Sequence, residues 1–221
     1  MQHIYSSLRR NWISVALLTA ATTAASGVEP VDPGIGDPYP LSYCIIVPDL
    51  PLEEDAEMIT VEGREVRMCC NECVDQFLAD SYGWSSKIDE MIVKQQLPHY
   101  PLTKCIVDGK PLGLGSFNHV FRNRLFRLCG GRCQTKLEQK PAKFFGELDY
   151  AVIEKQKSGY PLTTCIVSGK KLGADSLDHV VANQLVRLHS SDQLEQFNRT
   201  PGHYLEKVGK ATKKKAGSKS E

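Results

Sequence analysis

The stretch Arg67-Met68-Cys69-Cys70-Asn71-Glu72-Cys73 determines how the rest of the chain is interpreted, because related stretches occur three times. The second copy is Arg127-Leu128-Cys129-Gly130-Gly131-Arg132-Cys133, which keeps both outer cysteines. The third is Arg187-Leu188-His189-Ser190-Ser191-Asp192-Gln193, with a histidine and a glutamine at those two positions. Successive copies lie 60 residues apart. This regular spacing predicts three tandem units.

A second motif opens each predicted unit. It reads Tyr39-Pro40-Leu41-Ser42-Tyr43-Cys44 in the first unit, Tyr100-Pro101-Leu102-Thr103-Lys104-Cys105 in the second, and Tyr160-Pro161-Leu162-Thr163-Thr164-Cys165 in the third. The opening cysteine precedes the next cysteine position of its unit by 25, 24 and 24 residues, respectively. A separation this regular predicts that the two ends of the interval meet in space.

The pattern between these motifs predicts the fold class. Strand-forming runs over 58–68, 120–128 and 180–188 each contain a central turn pair, which is typical of a β-hairpin. Apolar residues then recur at helical spacing, so we expect a short helix after each hairpin. Further helices over 88–95 and 148–156 are expected to connect the units. The predicted class is α+β, with three tandem small repeats, each a β-hairpin followed by a short helix, joined by connector helices.

The chain is expected to have six segments. They are an export signal (1–26), a linker (27–38), three repeats (39–98, 99–158 and 159–208), and a lysine-rich disordered tail (209–221). In the signal, Arg9 and Arg10 precede an apolar run that is too short to serve comfortably as a retained anchor. We therefore expect no transmembrane anchor after signal removal, and a periplasmic or secreted location.

Composition and charge narrow the function classes. The chain is 41% hydrophobic and 24% charged, with a formal net charge of +1, as in ordinary soluble proteins. The lysines of the tail lack an accompanying aromatic or glycine-arginine pattern, so no nucleic-acid partner is expected. No thiol is followed by a His-Asp or His-Asn pair at a recognisable offset, so no enzymatic activity is expected. A protein in the cell envelope is a candidate partner.

The cysteine spacing itself favours metal chemistry. Two cysteines four positions apart lie on the same face of a helix, with their side-chain roots about 6 Å apart, which lets them share an ion. Near a helix N-terminus the unpaired amides and the helix dipole favour the thiolate, which is the form that ligates metals. Thiolates select soft ions, so Zn²⁺ and Cu⁺ are the expected metals.

These residues resemble a known family. A cysteine, a gap of about two dozen residues, then Cys-x3-Cys followed by an aromatic residue is similar to the YHS and TRASH domains. Those domains are small treble-clef-like or zinc-ribbon-like modules associated with heavy-metal sensing, trafficking and resistance. The resemblance covers roughly residues 39–208 in three copies, the third degenerate. It implies metal binding by two triads, formed by Cys44, Cys69 and Cys73 and by Cys105, Cys129 and Cys133.

Each triad lacks the fourth protein ligand of many structural zinc sites. Cys70 is a candidate for that ligand in the first repeat and His119 in the second, although His119 is more readily explained as a hydrogen-bonded structural residue. An open fourth position would suit a soft ion in transit. The third repeat keeps only Cys165 and His189 as its degenerate site, with Gln193 at the last position, and is expected to contribute packing rather than chelation.

The main alternative is a disulfide-stapled structural or interaction protein without metal. In it, Cys44 would bond to Cys69 or Cys73, with the corresponding bond in the second repeat. Thiol redox exchange is a third and less favoured class. The favoured interpretation is an exported protein that binds a soft metal for sequestration, delivery or sensing.

Overall fold

The computed structural model describes residues 36–217, which form an α+β structure. The strands are β1 (Glu57–Val61), β2 (Arg64–Met68), β3 (Phe117–Phe121), β4 (Arg124–Leu128), β5 (Leu177–Val181) and β6 (Gln184–Leu188). The helices are α1 (Asn71–Ala79), α2 (Ser81–Gln96), α3 (Gly131–Gln139), α4 (Pro141–Gln156), α5 (Gln193–Arg199) and α6 (Pro201–Gly217), with a 3-10 turn at Leu97–His99. Two strands, a short helix and a longer helix thus follow one another three times. We call residues 39–99, 100–159 and 160–217 the first, second and third units.

Each unit contains one antiparallel hairpin, so the sheets are three separate pairs: β1 with β2, β3 with β4, and β5 with β6. Each hairpin closes with a two-residue turn in which both residues have positive φ. The turn residues are Glu62 and Gly63, Arg122 and Asn123, and Ala182 and Asn183. Positive φ at both central positions is the type I′ arrangement, whose twist matches that of the flanking strands. These turns lie within the hairpins that the sequence predicts.

Each unit has its own apolar core between its hairpin and its helices. In the first unit, Met68 from β2 and Phe77 from α1 are fully buried with Ile88 and Ile92 from α2. Ile88 and Ile92 lie four residues apart and so share one face of α2. Full burial of each such side chain contributes about 1.5–3 kcal/mol, which gives a unit of this size an independent source of stability.

The longer helices join one unit to the next. Gln96 continues the buried face of α2, and its side chain donates to the carbonyl oxygen of Asn123 at 2.8 Å. The same side chain accepts from the backbone N–H of Leu125 at 2.8 Å. Gln156 at the end of α4 makes the equivalent pair of bonds with Asn183 O (2.9 Å) and Leu185 N (2.8 Å). Each helix thereby supplies polar partners for buried backbone groups at the unpaired edge of the following hairpin.

The third unit also contacts the first. The guanidinium group of Arg67 donates to the carbonyl oxygens of Asn198, at 2.6 Å, and of Arg199. The hydroxyl of Ser42 donates to the carboxylate of Glu206. With the contacts from the first unit to the second and from the second to the third, these bonds make each unit a neighbour of the other two. The three units therefore form a closed ring.

Two segment boundaries differ from the sequence expectation. Helix α6 extends to Gly217, whereas disorder was expected from residue 209. Lysine and alanine are good helix formers, and Lys215 Nζ donates to the carbonyl oxygens of Gly159 (3.3 Å) and Tyr160 (2.9 Å). Asp37, expected in the linker, is buried in the ring instead, and its N–H donates to the carbonyl oxygen of Arg122 at 3.0 Å.

The remaining terminal predictions concern residues that the structure does not describe. The expected export signal lies entirely outside the described residues. Most of the expected linker and the last four residues of the expected tail lie outside them as well. Between residues 36 and 217, none of the helices combines the length and the apolar character needed to span a bilayer.

Candidate metal centres

Three cysteines of the first unit form a cluster that we call the first centre. Cys44, Cys69 and Cys73 bring their Sγ atoms within 4.8 Å of one another. Cys44 comes from the opening segment, Cys69 directly follows β2, and Cys73 lies on the first turn of α1. The hairpin lies between the first two in sequence and closes the interval of 25 residues. Cys44 and Cys73 are buried, while Cys69 is half-buried.

Four residues of the second unit form the corresponding second centre. The Sγ atoms of Cys105, Cys129 and Cys133 and a carboxylate oxygen of Asp108 all lie within 4.8 Å of one another. Asp108 Oδ1 lies 3.2 Å from Cys129 Sγ. Sequence reasoning missed Asp108, because an aspartate before glycine is also typical of a turn. Its position three residues after a ligand-type cysteine was the signal that could have identified it.

The sulfur spacing fits a tetrahedral metal ion. Cys69 Sγ lies 3.5 Å from Cys73 Sγ, and Cys129 Sγ lies 3.6 Å from Cys133 Sγ. Two sulfurs bound at about 2.3 Å to one tetrahedral Zn²⁺ ion would lie about 3.8 Å apart. Three thiol sulfurs in each centre provide soft donors of the kind that bind Zn²⁺ and Cu⁺. The residues present therefore fit such an ion.

A tight loop holds the opening cysteine of the second unit. The N–H of Cys105 donates to the carbonyl oxygen of Lys110 at 2.8 Å, and the N–H of Gly109 donates to the carbonyl oxygen of Cys105 at 2.8 Å. Gly109 has φ of 73°, a conformation that glycine adopts without steric cost. The opening cysteine is thus held in place by backbone hydrogen bonds.

Backbone N–H groups stabilise the anionic form of Cys44. Burial alone raises the pKa of this thiol, but hydrogen bonds from the backbone of Cys69, Val47 and Ile46 outweigh it, so that the pKa is lowered overall. A thiolate held by N–H donors is the form that ligates a metal. The first centre therefore contains one sulfur that is prepared to bind.

Cys73 and Cys129 keep their thiol protons more strongly in the absence of a cation. Burial, followed by the neighbouring Cys70 and Cys69, raises the pKa of Cys73. Hydrogen bonding to Asp108, followed by burial, raises the pKa of Cys129 to about 12. The same contact, followed by a backbone hydrogen bond from Lys110, lowers the pKa of Asp108 to about 2. Binding of a cation would release these thiol protons.

Cys70, a candidate fourth ligand, lies beside the first centre but outside the group of mutually close atoms. It is the N-cap residue of α1, and its Sγ atom lies 3.9 Å from that of Cys69. Cys70 and Cys73 also stand in a Cys-x-x-Cys spacing, which redox proteins use for thiol exchange. The redox alternative therefore has a motif here that the sequence interpretation overlooked.

The structure does not bring His119 to the second centre. His119 lies on β3, with Nε2 at 3.1 Å from Oε1 of Glu138. It lines a cavity of about 300 Å³ that also contains Arg64 and Asp89 of the first unit. Asp108 occupies the place beside the sulfurs for which His119 was proposed, because its loop adjoins Cys105 whereas β3 directs His119 towards the first unit.

In the third unit, the corresponding residues make local bonds. The sulfur of Cys165 accepts a hydrogen bond from the backbone N–H of Ser168 at 3.4 Å. Gln193 Oε1 accepts from the N–H of Ser190 at 2.8 Å, which holds the start of α5. Within residues 36–217, the clusters of three or more potential ligands are the first and second centres, and neither includes Cys165 or His189.

The comparisons with known proteins do not add a relative to this description. No family model matches the chain, and no curated protein and no solved structure is significantly similar to it. Function is therefore inferred from the geometry of the two centres and from the chemistry of their side chains.

Proposed function

We propose that the protein binds a soft transition metal ion, Zn²⁺ or Cu⁺, at each of its two centres. The observation that supports this most is the convergence of three sulfurs in each of two units, with ligands from positions 24 or 25 apart in sequence. Apolar packing alone would not require three thiols at one point. Metal binding explains both the residue type and the spacing.

The sulfur geometry favours metal over disulfide bonds. Sulfurs in a disulfide lie about 2.05 Å apart, well below the spacing of 3.5 Å between Cys69 and Cys73 and of 3.6 Å between Cys129 and Cys133. A cluster of three thiols also leaves one unpaired whenever the other two form a bond. All eight cysteines are free thiols in the structure, which leaves the three sulfurs of each centre available to an ion.

The protein's own contribution would be to hold thiolates in a fixed geometry. Cys73 and Cys133 lie on the first turns of α1 and α3, where the helix dipole opposes the effect of burial, which raises the pKa of both thiols. The buried sulfurs of Cys44 and Cys105 are screened from water, whereas the half-buried Cys69 and Cys129 leave each centre accessible to an incoming ion. Such a site suits sequestration, delivery or sensing of an ion rather than catalysis.

We extend the proposal to the origin of the units. The recurrence of hairpin, short helix and longer helix supports three tandem YHS/TRASH-like repeats, the third of which has lost its cysteine pair. An export signal in residues 1–26 would place the protein in the periplasm or outside the cell, with an envelope protein as its partner. Exchange of an ion with such a partner is consistent with the accessible sulfurs.

Native mass spectrometry of the purified protein tests the proposal. We expect metal adducts on each chain and no mass loss from oxidised cysteine pairs. A metal-free protein lacking the two hydrogens that each disulfide removes would contradict the proposal and support the stapled alternative. A disulfide between Cys70 and Cys73 alone, mapped by peptide analysis in a metal-free protein, would support redox exchange instead.

Paired serine variants separate the two centres. Replacing Cys69 and Cys73 together should remove one metal equivalent and leave the other, and replacing Cys129 and Cys133 together should do the converse. Cys70→Ser is the matched control, since its sulfur lies outside the cluster of the first centre. Loss of a metal equivalent from this control would show that Cys70 is a ligand.

A further inference from the structure

The two centres differ at one equivalent position. Counting three residues from the opening cysteine leads to Val47 in the first unit, Asp108 in the second and Ser168 in the third. Only the second of these side chains has a carboxylate, and that carboxylate lies among the sulfurs. The first centre has an apolar side chain at the same place in its loop.

The carboxylate of Asp108 is suitably placed to ligate an ion shared with the sulfurs. Its two oxygens lie 3.2 and 3.3 Å from Cys129 Sγ, somewhat closer than the ~3.6 Å that separates a sulfur and an oxygen bound to one tetrahedral Zn²⁺ ion. The second centre also has Gly130 where the first has Cys70, so it has no additional sulfur to recruit. With Asp108 it offers three sulfurs and one oxygen.

The two centres also differ in the formal charge of their ligands. Three thiolates and a carboxylate carry four formal negative charges, of which a divalent ion cancels two. Three thiolates alone carry three negative charges, of which a monovalent ion cancels one. Each centre then keeps a residual charge of −2 with its own ion. Lys110 Nζ lies 3.4 Å from the carboxylate of Asp108, which offsets part of the additional charge of the second centre. Lys110 is also the residue whose carbonyl oxygen accepts from the N–H of Cys105. In the first unit the N–H of Cys44 donates instead to the carbonyl oxygen of Leu50, which has no charge.

We propose that Asp108 is the fourth ligand of the second centre and makes that centre selective for Zn²⁺, while the three-sulfur first centre favours Cu⁺. The inference rests on the proposed function. Zn²⁺ prefers four ligands and accepts a carboxylate oxygen, whereas Cu⁺ binds thiolate sulfur in preference to the harder carboxylate oxygen. The protein would thus bind two different ions through one type of unit.

Asp108 also has a role within its loop, which the test must separate from ligation. Its Oδ1 accepts a hydrogen bond from the backbone N–H of Lys110 at 3.2 Å, an arrangement typical of an aspartate turn. Asp108→Asn keeps an acceptor for this bond but removes the anionic ligand. Asp108→Val removes both and reproduces the residue of the first unit.

Affinities are measured on the reduced, metal-stripped protein in competition with chromophoric chelators for Zn²⁺ and for Cu⁺. The Cys69→Ser/Cys73→Ser background isolates the second centre, and the Cys129→Ser/Cys133→Ser background isolates the first. Asp108→Asn and Asp108→Val are made in the former and Val47→Asp in the latter. Circular dichroism checks that each variant is folded.

In the background that isolates the second centre, both Asp108 variants should weaken Zn²⁺ binding by at least about 10-fold and leave Cu⁺ binding nearly unchanged. A loss of about 10-fold is the lower end of the range seen when only a residue that supports a metal ligand is replaced. Val47→Asp should strengthen Zn²⁺ binding at the first centre. The inference would be overturned if the folded Asp108→Asn variant bound Zn²⁺ as tightly as its parent background does. It would also be overturned if the variant lost the same factor of affinity for Zn²⁺ and for Cu⁺. If the two backgrounds bind neither ion, the proposed function fails, and this inference fails with it.

Discussion

Asp37 and Arg124 form a buried ion pair at the centre of the ring, with Arg124 Nη2 at 2.6 Å from Asp37 Oδ1. Arg124 is 1% exposed and also pairs with Asp149, at 2.7 Å. Burial by itself lowers the pKa of Arg124, but Asp37 and Asp149 more than compensate and raise it overall. The other carboxylate oxygen of Asp37 accepts from the N–H of Ala182 at 2.7 Å, so this one residue joins the second and third units.

Replacing Asp37 with alanine should strongly destabilise the ring. The change leaves the buried guanidinium of Arg124 without one of its two carboxylates and the N–H of Ala182 without its partner, and breaking a buried pair in this way costs about 3 kcal/mol. Urea unfolding followed by circular dichroism measures the loss. Glu147→Gln, which affects an exposed pair with Lys143, is the control and should change the free energy of unfolding little. Equal stability of the two variants would contradict a central role for Asp37.

Gly202→Ala should disturb the packing of α6 against the first unit. A Cβ atom at this position would overlap the backbone carbonyl group of Leu41, which has little freedom to move. Overpacking of this kind costs about 1–3 kcal/mol. Gly209→Ala on the same helix is the matched control, because its Cβ would meet open space and alanine is the better helix former. A melting temperature that falls for the control as much as for Gly202→Ala would exclude the proposed overlap.

Cys165→Ser should leave the metal stoichiometry unchanged. Although burial raises the pKa of Cys165, hydrogen bonds from Ser168 and from the backbone of His189 and Val167 lower it overall, so this sulfur is satisfied by local donors. Cys105→Ser, at the equivalent position of the second unit, should weaken or remove one metal equivalent. Metal analysis of both variants makes the comparison, and a lost equivalent in Cys165→Ser would reveal a third site.

The metal-free protein should become less stable as the pH falls below about 6.5, the value at which histidine protonates in an unfolded chain. The pKa of His179 is lowered in the folded state by burial, despite the opposing effects of Asp37 and Asp149. The unfolded state therefore binds the proton first, and stability is lost as the pH falls from that value towards the lower folded pKa. His119 behaves in the same direction, again chiefly through burial.

Urea unfolding at about pH 7.5 and about pH 5.5, above and below the histidine value, measures this loss. His179→Gln should reduce the difference in unfolding free energy between the two conditions, because glutamine does not titrate. Histidine signals followed by NMR give the folded-state pKa directly. A resonance of His179 that titrates above the value for an unfolded chain would contradict the expected direction.

The sequence carried much of the information about each unit. Alternation and turn pairs predict hairpins because side chains of a strand alternate between two faces, and the observed strands lie within or next to the predicted runs. The regular spacing of Cys44 and Cys69 predicts that they meet, and their sulfurs do lie together. These features depend on residues of one unit, so a local pattern contains the necessary information.

The longer helices were only partly predictable. Gln96 and Gln156 occupy the buried faces of α2 and α4, where a sequence pattern predicts apolar residues. Their polar groups are required because each reaches the backbone of the next hairpin, whose N–H and carbonyl groups would otherwise be buried without partners. That requirement arises only once two units pack together.

Local sequence pattern therefore specifies the unit: its hairpin, its helices and the sulfurs that approach one another within it. The closure of the units into a ring, the position of Asp37 at its centre, and the place of Asp108 rather than His119 beside the second set of sulfurs follow only from packing between distant segments. The physical reason is that periodicity reports which face of an element is buried, whereas the partner of a buried charge depends on chain segments far apart in sequence. Asn123 illustrates both levels, since its positive φ suits a hairpin turn while its side chain bonds to the backbone of Asp37 and Glu65.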